Sequence, residues 1–172
     1  DPDKTRHQLG RILTAARGIT RQLDSVVWAV DPANDTLESL ARYLHGHAED
    51  YLGIAGIRCR FDGMDLPEVP LASSLRHHLL MITKEALHNV VKHAASTTVT
   101  LRLRYDARIL TLEIEDDGKG IGPPEGHRHG NGLNNIRKRA MAAGGTCEFQ
   151  TGSGGKGTLV RLCIPVKPGN IS

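Results

Sequence analysis

Apolar residues in the first thirty positions recur in alternating steps of three and four. Positions 9, 16, 23 and 30 form one row of the pattern, and positions 12, 19 and 26 form the other. This heptad spacing predicts a long helix, Lys4–Val30, with a coiled-coil or bundle seam; a core helix lying on its own domain is the alternative. Asp31-Pro32 ends the helix in either case.

A second helical pattern follows the first after a short break. Asp35-Thr36 can cap this helix, and apolar residues stay on one of its faces as far as Leu52. Alternating residues then predict a short strand at Arg58–Asp62, and residues 67–70 form a linker with a proline at each end. This part of the chain therefore supplies one amphipathic helix and one strand.

Two more helices are predicted further along the chain. One begins at a cap provided by Ser73 or Ser74 and runs to about Ala94. The other covers Leu133 to Ala143 and is stopped by Gly144-Gly145. The residues expected to face inward on the first of them are Leu75, Leu79, Ile82, Ala86, Val90 and Val91.

Four further strands are predicted from alternating apolar residues. They are Thr98–Tyr105, Arg108–Glu115, Thr146–Thr151 and Thr158–Val166. A tight turn at Asp106-Ala107 joins the first two, and a glycine-rich turn at 152–155 joins the last two. Helices mixed with antiparallel strands predict an α+β fold, a two-layer α/β sandwich with helices on one sheet face, preceded by the heptad helix.

Composition narrows the function classes. The chain has 172 residues and a net charge of +3 with acids and bases interspersed, so it shows no footprint for nucleic acid or membrane. Three distant cysteines favour reduced thiols in a cytoplasmic protein, which includes the cytosolic part of a membrane-anchored sensor. The chain starts at Asp1 without a Met, so we expect a fragment of a longer protein.

The most informative motif follows the strand that ends at Glu115. Residues 116–121 read Asp-Asp-Gly-Lys-Gly-Ile. Asp116, at a strand end, can accept a hydrogen bond from an exocyclic amine, while Gly118 and Gly120 let the backbone turn and a flat ring approach. Alone, this D-x-G-x-G pattern is usually an ordinary turn, so its companion motifs decide the interpretation.

The first companion motif lies on the third predicted helix. Glu85, Asn89, Lys92 and His93 are spaced i, i+4, i+7 and i+8, so they share a helix face or its edge. Asn89 can offer a carbonyl oxygen to Mg²⁺, and Lys92 can meet a phosphate as a point charge. Glu85 can orient or deprotonate an attacking group. A solvated helix face would have the same pattern, so this motif alone is weak.

Two glycine motifs complete the set. Gly130-Asn131-Gly132-Leu133 precedes a predicted helix, where exposed amides can bind phosphate and glycines permit close approach. Gly157 precedes Thr158, which places a small hydroxyl at the start of a strand. The alternatives are an ordinary loop for the first motif and a Thr retained for structural reasons in the second.

Together and in this order, the motifs resemble the ATP-binding domain of sensor histidine kinases. That domain belongs to the superfamily shared with gyrase, the heat-shock chaperone ATPases and the mismatch-repair ATPases, the Bergerat fold. Residues 85–94 look like its N box, 116–121 like its first glycine box and 130–139 like its second. The resemblance covers about Leu71 to Val166. It implies a mixed, mostly antiparallel sheet and an ATP-binding kinase domain at 35–172.

The resemblance implies a role for each matching residue. Asp116 would bind the adenine amino group, Asn89 would hold Mg²⁺, and Thr158 would support the adenine end through water. Glu85 and Lys92 would be catalytic. The residues expected to bind ATP are Asn89, His93, Asp116, Gly118, Gly120, Ile121, Gly130, Gly132, Leu133 and Thr158. Residues 122–129 would form a short ATP lid, which fits the compact subfamily of nitrate-type and lipid-sensing kinases.

Residues 23–37 also look like the segment that joins the dimerisation helices to this domain. Residues 1–34 would then be the second helix of a dimerisation hairpin plus a linker, with Trp28 as a packing anchor. His7 lacks the acid that follows the family's phosphoacceptor, so we expect the acceptor histidine upstream of this chain. The implied partners are ATP, a response-regulator receiver domain and a second copy of the full-length protein.

Three functions compete on this evidence. The leading one binds Mg-ATP and transfers the γ-phosphoryl to a histidine of the hairpin. An anti-sigma-factor-like protein-serine kinase has the same fold but would not need the heptad helix. A non-catalytic nucleotide-sensing module would be expected to lose Asn89 and Asp116. Two histidine pairs, His45-x-His47 and His127-x-His129, could suggest metal binding. No Cys or carboxylate at metal-ligand spacing accompanies them, so we expect surface or lid histidines instead.

Overall fold

The computed structural model describes residues 25–121 and 131–166, and the strands within these ranges form one five-stranded sheet. The strands are β1 (Arg58–Asp62), β2 (Thr98–Asp106), β3 (Ile109–Asp116), β4 (Thr146–Thr151) and β5 (Thr158–Pro165). The helices are α1 (Leu37–Ile54), α2 (Ser73–Asn89) and α3 (Asn131–Ala142), and α2 continues into a π-helical turn at Val90–Ala94. Residues 25–30 are also helical, and a 3₁₀ helix follows at Pro32–Asn34.

The sheet has the order β1-β2-β3-β5-β4. β1 pairs parallel with β2, and the other three pairings are antiparallel. Alternate residues of β2, β3 and β5 are buried against the helices. The opposite face carries ion pairs, among them Arg102 with Glu115 at 2.7 Å and Arg161 with Glu113 at 2.7 Å. The predicted two-layer α+β sandwich with a mixed, mostly antiparallel sheet is confirmed.

The turn between β2 and β3 lies one residue later than predicted. β2 extends through Asp106, and the two turn residues are Ala107 and Arg108, with φ of 47° and 66°. Positive φ at both central positions gives the backbone twist that two-residue hairpin turns need. The prediction was wrong because none of these residues is a glycine or asparagine that would mark the turn.

The starts of α1 and α2 differ in how they are capped. Thr36 caps α1 as predicted, and its hydroxyl oxygen accepts a hydrogen bond from the Ser39 N–H at 3.1 Å. The predicted cap at Ser73 or Ser74 is wrong, because α2 begins at Ser73 behind Ala72 with no side-chain cap. Backbone bonds fix the chain just upstream instead, including Leu71 N–H to Asp35 O at 2.6 Å.

The π-helical turn extends α2 to the predicted end near Ala94 but changes its spacing. An i→i+5 turn holds one more residue than an α-helical turn, so side chains beyond Asn89 leave the 3.6-residue pattern. Val91 is 38% exposed, so its predicted inward position is wrong. Ala95, in the left-handed region at φ 52°, ends the turn.

Only the last residues of the predicted heptad helix belong to the described part of the chain. Residues 25–30 are helical and the helix ends before Asp31-Pro32, as predicted. Trp28 packs against Tyr43 of α1 with ring centroids 4.2 Å apart, which confirms its role as a packing anchor. Residues 4–24, His7, the lid at 122–129, Gly130 and the His127-x-His129 pair lie outside the described residues.

Candidate active site

Asp116 lies at the end of β3 and is buried, with 5% of its surface exposed. Its Oδ1 accepts a hydrogen bond from the Gly118 N–H at 2.9 Å, and Thr158 donates from both its backbone N–H and its hydroxyl. Burial raises the pKa of Asp116, and these donors oppose the rise. The strand end therefore holds a fixed, buried acceptor.

Gly157 allows β5 to begin directly against Asp116. A Cβ at this position would lie 1.8 Å from the Asp116 backbone oxygen, and φ is +69°. Any other residue would push the strand away and break the contact between Thr158 and Asp116. The Gly157-Thr158 motif therefore serves Asp116 through direct contact.

Gly132 brings the second glycine motif onto the polar side of α2. A Cβ at Gly132 would lie 2.4 Å from Glu85 Oε1 and 3.1 Å from Asn89 Oδ1. The first turn of α3 thus approaches both side chains closely, which only a glycine permits. Because backbone N–H groups are exposed at a helix start, the predicted phosphate end of the site lies next to Glu85 and Asn89.

Asn89 has an unusual hydrogen-bonding state. Its Nδ2 is buried and has no hydrogen-bond partner among the described residues. An unpaired buried amide costs about 1–3 kcal/mol, so such a group is normally satisfied by a ligand or water. An Asn side chain beside a carboxylate supplies the oxygen donors that Mg²⁺ prefers, together with an amide that can reach a phosphate oxygen. Glu85 and Asn89 therefore fit a Mg-nucleotide.

Lys92 and His93 are exposed on the π-helical turn. The shared face inferred for Glu85, Asn89 and these two residues assumed regular α-helical spacing, which the π-helical turn interrupts. The structure brings Glu85 and Asn89 together at Gly132, and their approach to Gly132 is not shared by Lys92 or His93. The roles of Lys92 and His93 stay predictions.

A cavity of about 580 Å³ opens beside the first glycine motif. Gly120, Ile121 and Leu133, all predicted to bind ATP, contribute to its wall, whereas Asp116 and Asn89 do not. Three cationic side chains also line it, and the Arg137 guanidinium lies 4.9 Å from the centre of the Phe149 ring. These cations are Lys119, Arg137 and Lys156. The cavity therefore favours an anionic ligand with an apolar part.

Residues 75–168 match the family model described as histidine kinase-, DNA gyrase B-, and HSP90-like ATPase. The match covers more than half of the chain and includes every motif described above. The chain belongs to this ATPase family. It is a histidine-kinase-type ATP-binding domain, as the order of its motifs predicted.

Relatives of this ATPase domain are sensor kinases. The histidine-protein kinase/phosphatase UhpB of Salmonella typhimurium is 36% identical over 163 residues, which cover 95% of this chain and 28% of UhpB. The nitrate/nitrite sensor protein NarQ of Escherichia coli is 39% identical over 98 residues, 56% of this chain and 17% of NarQ. The chain thus spans less than a third of these relatives.

Solved structures share the fold of the ATPase domain. The histidine kinase domain of a blue-light activated kinase from Erythrobacter litoralis has a TM-score of 0.67 at 22% identity, covering 92% of this chain and 83% of that domain. Full-length ShkA in complex with AMPPNP has a TM-score of 0.65 at 17% identity, covering 93% of this chain and 38% of ShkA. These likenesses show the fold.

Asp117 is a structural residue beside the candidate site that the sequence reasoning missed. Its exposed carboxylate accepts hydrogen bonds from the Thr97 and Thr98 N–H groups, at 2.8 and 2.9 Å, and from the hydroxyls of Ser96 and Thr97, both at 2.6 Å. The hydroxyls, first that of Ser96, lower the pKa of Asp117. Asp117 thereby ties the first glycine motif to the connection after the π-helical turn.

Other features of the described residues are structural. His45 stacks on Phe61 with ring centroids 4.8 Å apart, and His47 lies between Tyr43 and Tyr51. Within residues 25–121 and 131–166, no group of three His, Cys, Asp or Glu side chains is placed to hold a metal. Every helix in these ranges falls short of the length and apolar character needed to cross a bilayer.

Proposed function

We propose that this ATPase domain binds Mg-ATP and transfers the γ-phosphoryl group to a histidine of a dimerisation hairpin, for relay to a response-regulator aspartate. The observation that carries the proposal is the meeting of Glu85 and Asn89 with the start of α3 at Gly132. A second supporting observation is the buried carboxylate acceptor Asp116 at the end of β3. Asp116 suits an adenine amine, and the meeting at Gly132 suits phosphates.

At the adenine end, Asp116 accepts the exocyclic amine. Its side chain is already held by Gly118 and Thr158, so little freedom is lost on binding. The cavity wall at Gly120, Ile121 and Leu133 supplies apolar and backbone surface for the nucleotide. Lys119, Arg137 and Lys156 add positive charge around an anionic ligand.

At the phosphate end, Asn89 would hold Mg²⁺ through its side-chain oxygen. The metal, when bound, would supply positive charge that offsets the charge of the phosphate oxygens. In the transfer, the bond from the γ-phosphorus to the bridging oxygen breaks and ADP leaves, while a phosphorus–nitrogen bond forms to the acceptor imidazole. The ring proton passes to Glu85, the nearest carboxylate of the motif, or to water. Lys92 and His93 assist from the π-helical turn.

The partners follow from the same role. Residues 25–30 continue the predicted hairpin helix, and Val26 and Val30, which belong to its two heptad rows, are 42% and 58% exposed. Such exposed seam positions suit pairing with a second copy of the full-length protein. The helix also favours a histidine kinase over an anti-sigma-factor-like kinase. We place the domain in the cytoplasm, where ATP and a receiver domain are available.

Transfer of label from γ-labelled ATP to a separately supplied dimerisation hairpin tests the proposal. We expect slow appearance of acid-labile phosphate on the hairpin, because the tether that raises effective concentration is missing. Glu85→Gln should lower the transfer rate while ATP stays bound, and a hairpin with its acceptor histidine replaced is the control. Acid-stable phosphate on the hairpin would instead indicate a serine kinase.

A different outcome is acid-labile label on this chain itself. If that label disappears in His7→Gln, the phosphoacceptor is His7 and not a histidine upstream.

A further inference from the structure

Helical residues 25–30 lie along α2 and are attached to it at two points. At the first, the Lys84 ammonium donates to the buried Ser25 hydroxyl. At the second, eight residues earlier on α2, Arg76 contacts the carbonyl of Ala29. Ser25 meets the later part of α2 and Ala29 the earlier part, so the two helices run in opposite directions.

Arg76 is the stronger of the two attachments. Its side chain is 2% exposed, and its guanidinium donates to three backbone carbonyls. Nε and Nη2 donate to Ala29 O at 3.1 and 2.6 Å, Nη2 to Asp31 O at 3.2 Å, and Nη1 to Leu71 O at 2.6 Å. The carbonyls at a helix C-terminus carry partial negative charge, so they satisfy a buried cation.

The shape of the Arg76 guanidinium fixes the orientation of residues 25–30 on α2 as well as their distance from it. Its planar fork demands particular directions for several acceptors at once, whereas a lysine would offer a single point charge. Two of the three carbonyls belong to the end of the helical segment, and the third precedes α2. Sliding or rotating residues 25–30 along α2 would therefore break several charge-assisted bonds together.

The direction of the segment has a consequence for the site. The chain reaches Ser25 beside Lys84, and Lys84 is adjacent to Glu85 in α2. Residues 25–30 therefore run along α2 away from the end that carries Glu85 and Asn89. Ser25, the first described residue, therefore lies toward the end of α2 that carries the predicted phosphate end of the site.

We propose that Arg76 is a positioning residue that locks the register of residues 25–30 on α2 and so sets how the preceding hairpin meets the γ-phosphate. The proposal rests on the phosphotransfer function proposed above. Arg76 does not touch the nucleotide. Its loss should loosen the docking of the helix and lower the transfer rate, and it should leave the affinity for ATP in place.

Trp28 makes the docking measurable, because it is the one tryptophan of the chain and lies between the contacts of Ser25 and Ala29. In Arg76→Gln, we expect red-shifted Trp28 emission and stronger acrylamide quenching. In the native sensor kinase, the kcat of histidine phosphorylation should fall on the order of tenfold to a hundredfold, with the KM for ATP changed less than about threefold. Arg104→Gln, which removes an exposed arginine paired with Asp62, is the matched control.

Arg76→Lys provides a second variant if Arg76→Gln does not fold, as judged by circular dichroism. We expect partial recovery of Trp28 emission and of kcat, because the charge remains but the fork is lost. Wild-type Trp28 emission and wild-type kcat in folded variants would overturn the proposal. Failure of the wild-type chain to bind an ATP analogue would instead overturn the proposed function, and Trp28 emission would still decide the docking.

Discussion

Asp116 and Asp117 are neighbours in the chain, yet they lie in opposite environments. Asp116 is buried, its pKa is raised by burial, and it is held by Gly118 and Thr158. Asp117 is exposed, and its pKa is lowered by hydrogen bonds, the largest from the Ser96 hydroxyl. The Asp116 side chain is thus a buried acceptor at the strand end. The Asp117 carboxylate instead accepts hydrogen bonds that stabilise the fold.

The difference teaches that a motif can contain two separable functions. Successive side chains at a strand end point to opposite sides, so one acid faces the ligand region and its neighbour faces the connection to β2. Substitution of Asp116 should therefore change binding, and substitution of Asp117 should change stability. The following experiments test that separation.

The largest effect is expected from Asp116→Asn. The substitution keeps the size but replaces an acceptor oxygen with a donor, so the adenine amine would face a second donor. A mismatched buried polar group costs about 1–3 kcal/mol, and about 1.4 kcal/mol is tenfold in affinity. Calorimetric titration should show at least about a tenfold weaker ATP affinity. Wild-type affinity in a folded variant would remove Asp116 from the site.

Asn89→Ala should show that the ligand region has a second, metal-dependent part. In the proposed function its side-chain oxygen binds Mg²⁺, so titrations with and without Mg²⁺ should differ. We expect roughly a tenfold loss of affinity for Mg-ATP, about the worth of one charged hydrogen bond, and a smaller loss without the metal. Equal losses in the two titrations would assign Asn89 a structural role.

Asp117→Ala should give the smallest effect on binding and a measurable loss of stability. Removing an exposed, charged acceptor with several donors should lower the free energy of unfolding by about 1–2 kcal/mol. Each kcal/mol should lower Tm by roughly 2–4 °C. Asp106→Ala, at an exposed acid on the other end of β2, is the control. A loss of ATP affinity without a change in Tm would contradict the comparison.

The pH dependence of stability provides an independent check of Asp117. Its folded-state pKa lies below the unfolded value of about 3.9, so the carboxylate stabilises the fold above that pH. The contribution is lost as pH falls through the folded-state pKa. The stability gap between the wild type and Asp117→Ala should therefore be constant near neutrality and narrow below about pH 4. A stability gap that widens on acidification would contradict this prediction.

Much of the fold could be predicted because its signals are local. Period-two alternation predicted all five strands, and the Thr36 cap marked the start of α1. The spacing of Glu85 and Asn89 by four residues was enough to bring them together, since both precede the π-helical turn. The motifs identified Gly132 and Gly157 as candidate site positions. The neighbouring atoms that leave no room for a Cβ there could not be predicted from the sequence.

Two of the remaining features depend on partners far away in the sequence, and a third depends on the π-helical turn. Asp117 has no local signal, because its donors at 96–98 come from another strand connection. The π-helical turn places Val91 outward although the apolar pattern continues regularly through it. Arg76 is buried in an amphipathic helix, and its acceptors are backbone carbonyls, which no sequence pattern identifies. Long-range contacts set the outcomes for Asp117 and Arg76, and the local geometry of the π-helical turn sets that for Val91.

The parallel pairing of β1 with β2 has a consequence for how the sheet is completed. The chain between these strands contains the whole of α2 and its π-helical turn, whereas β2 and β3 are joined by two residues. A parallel pair requires a long crossover, and closing a long loop costs more chain entropy than closing a hairpin. The helix that carries Glu85 and Asn89 is therefore itself the crossover connection between the edge strand β1 and β2. The predicted site residues and the crossover connection therefore occupy the same stretch of chain.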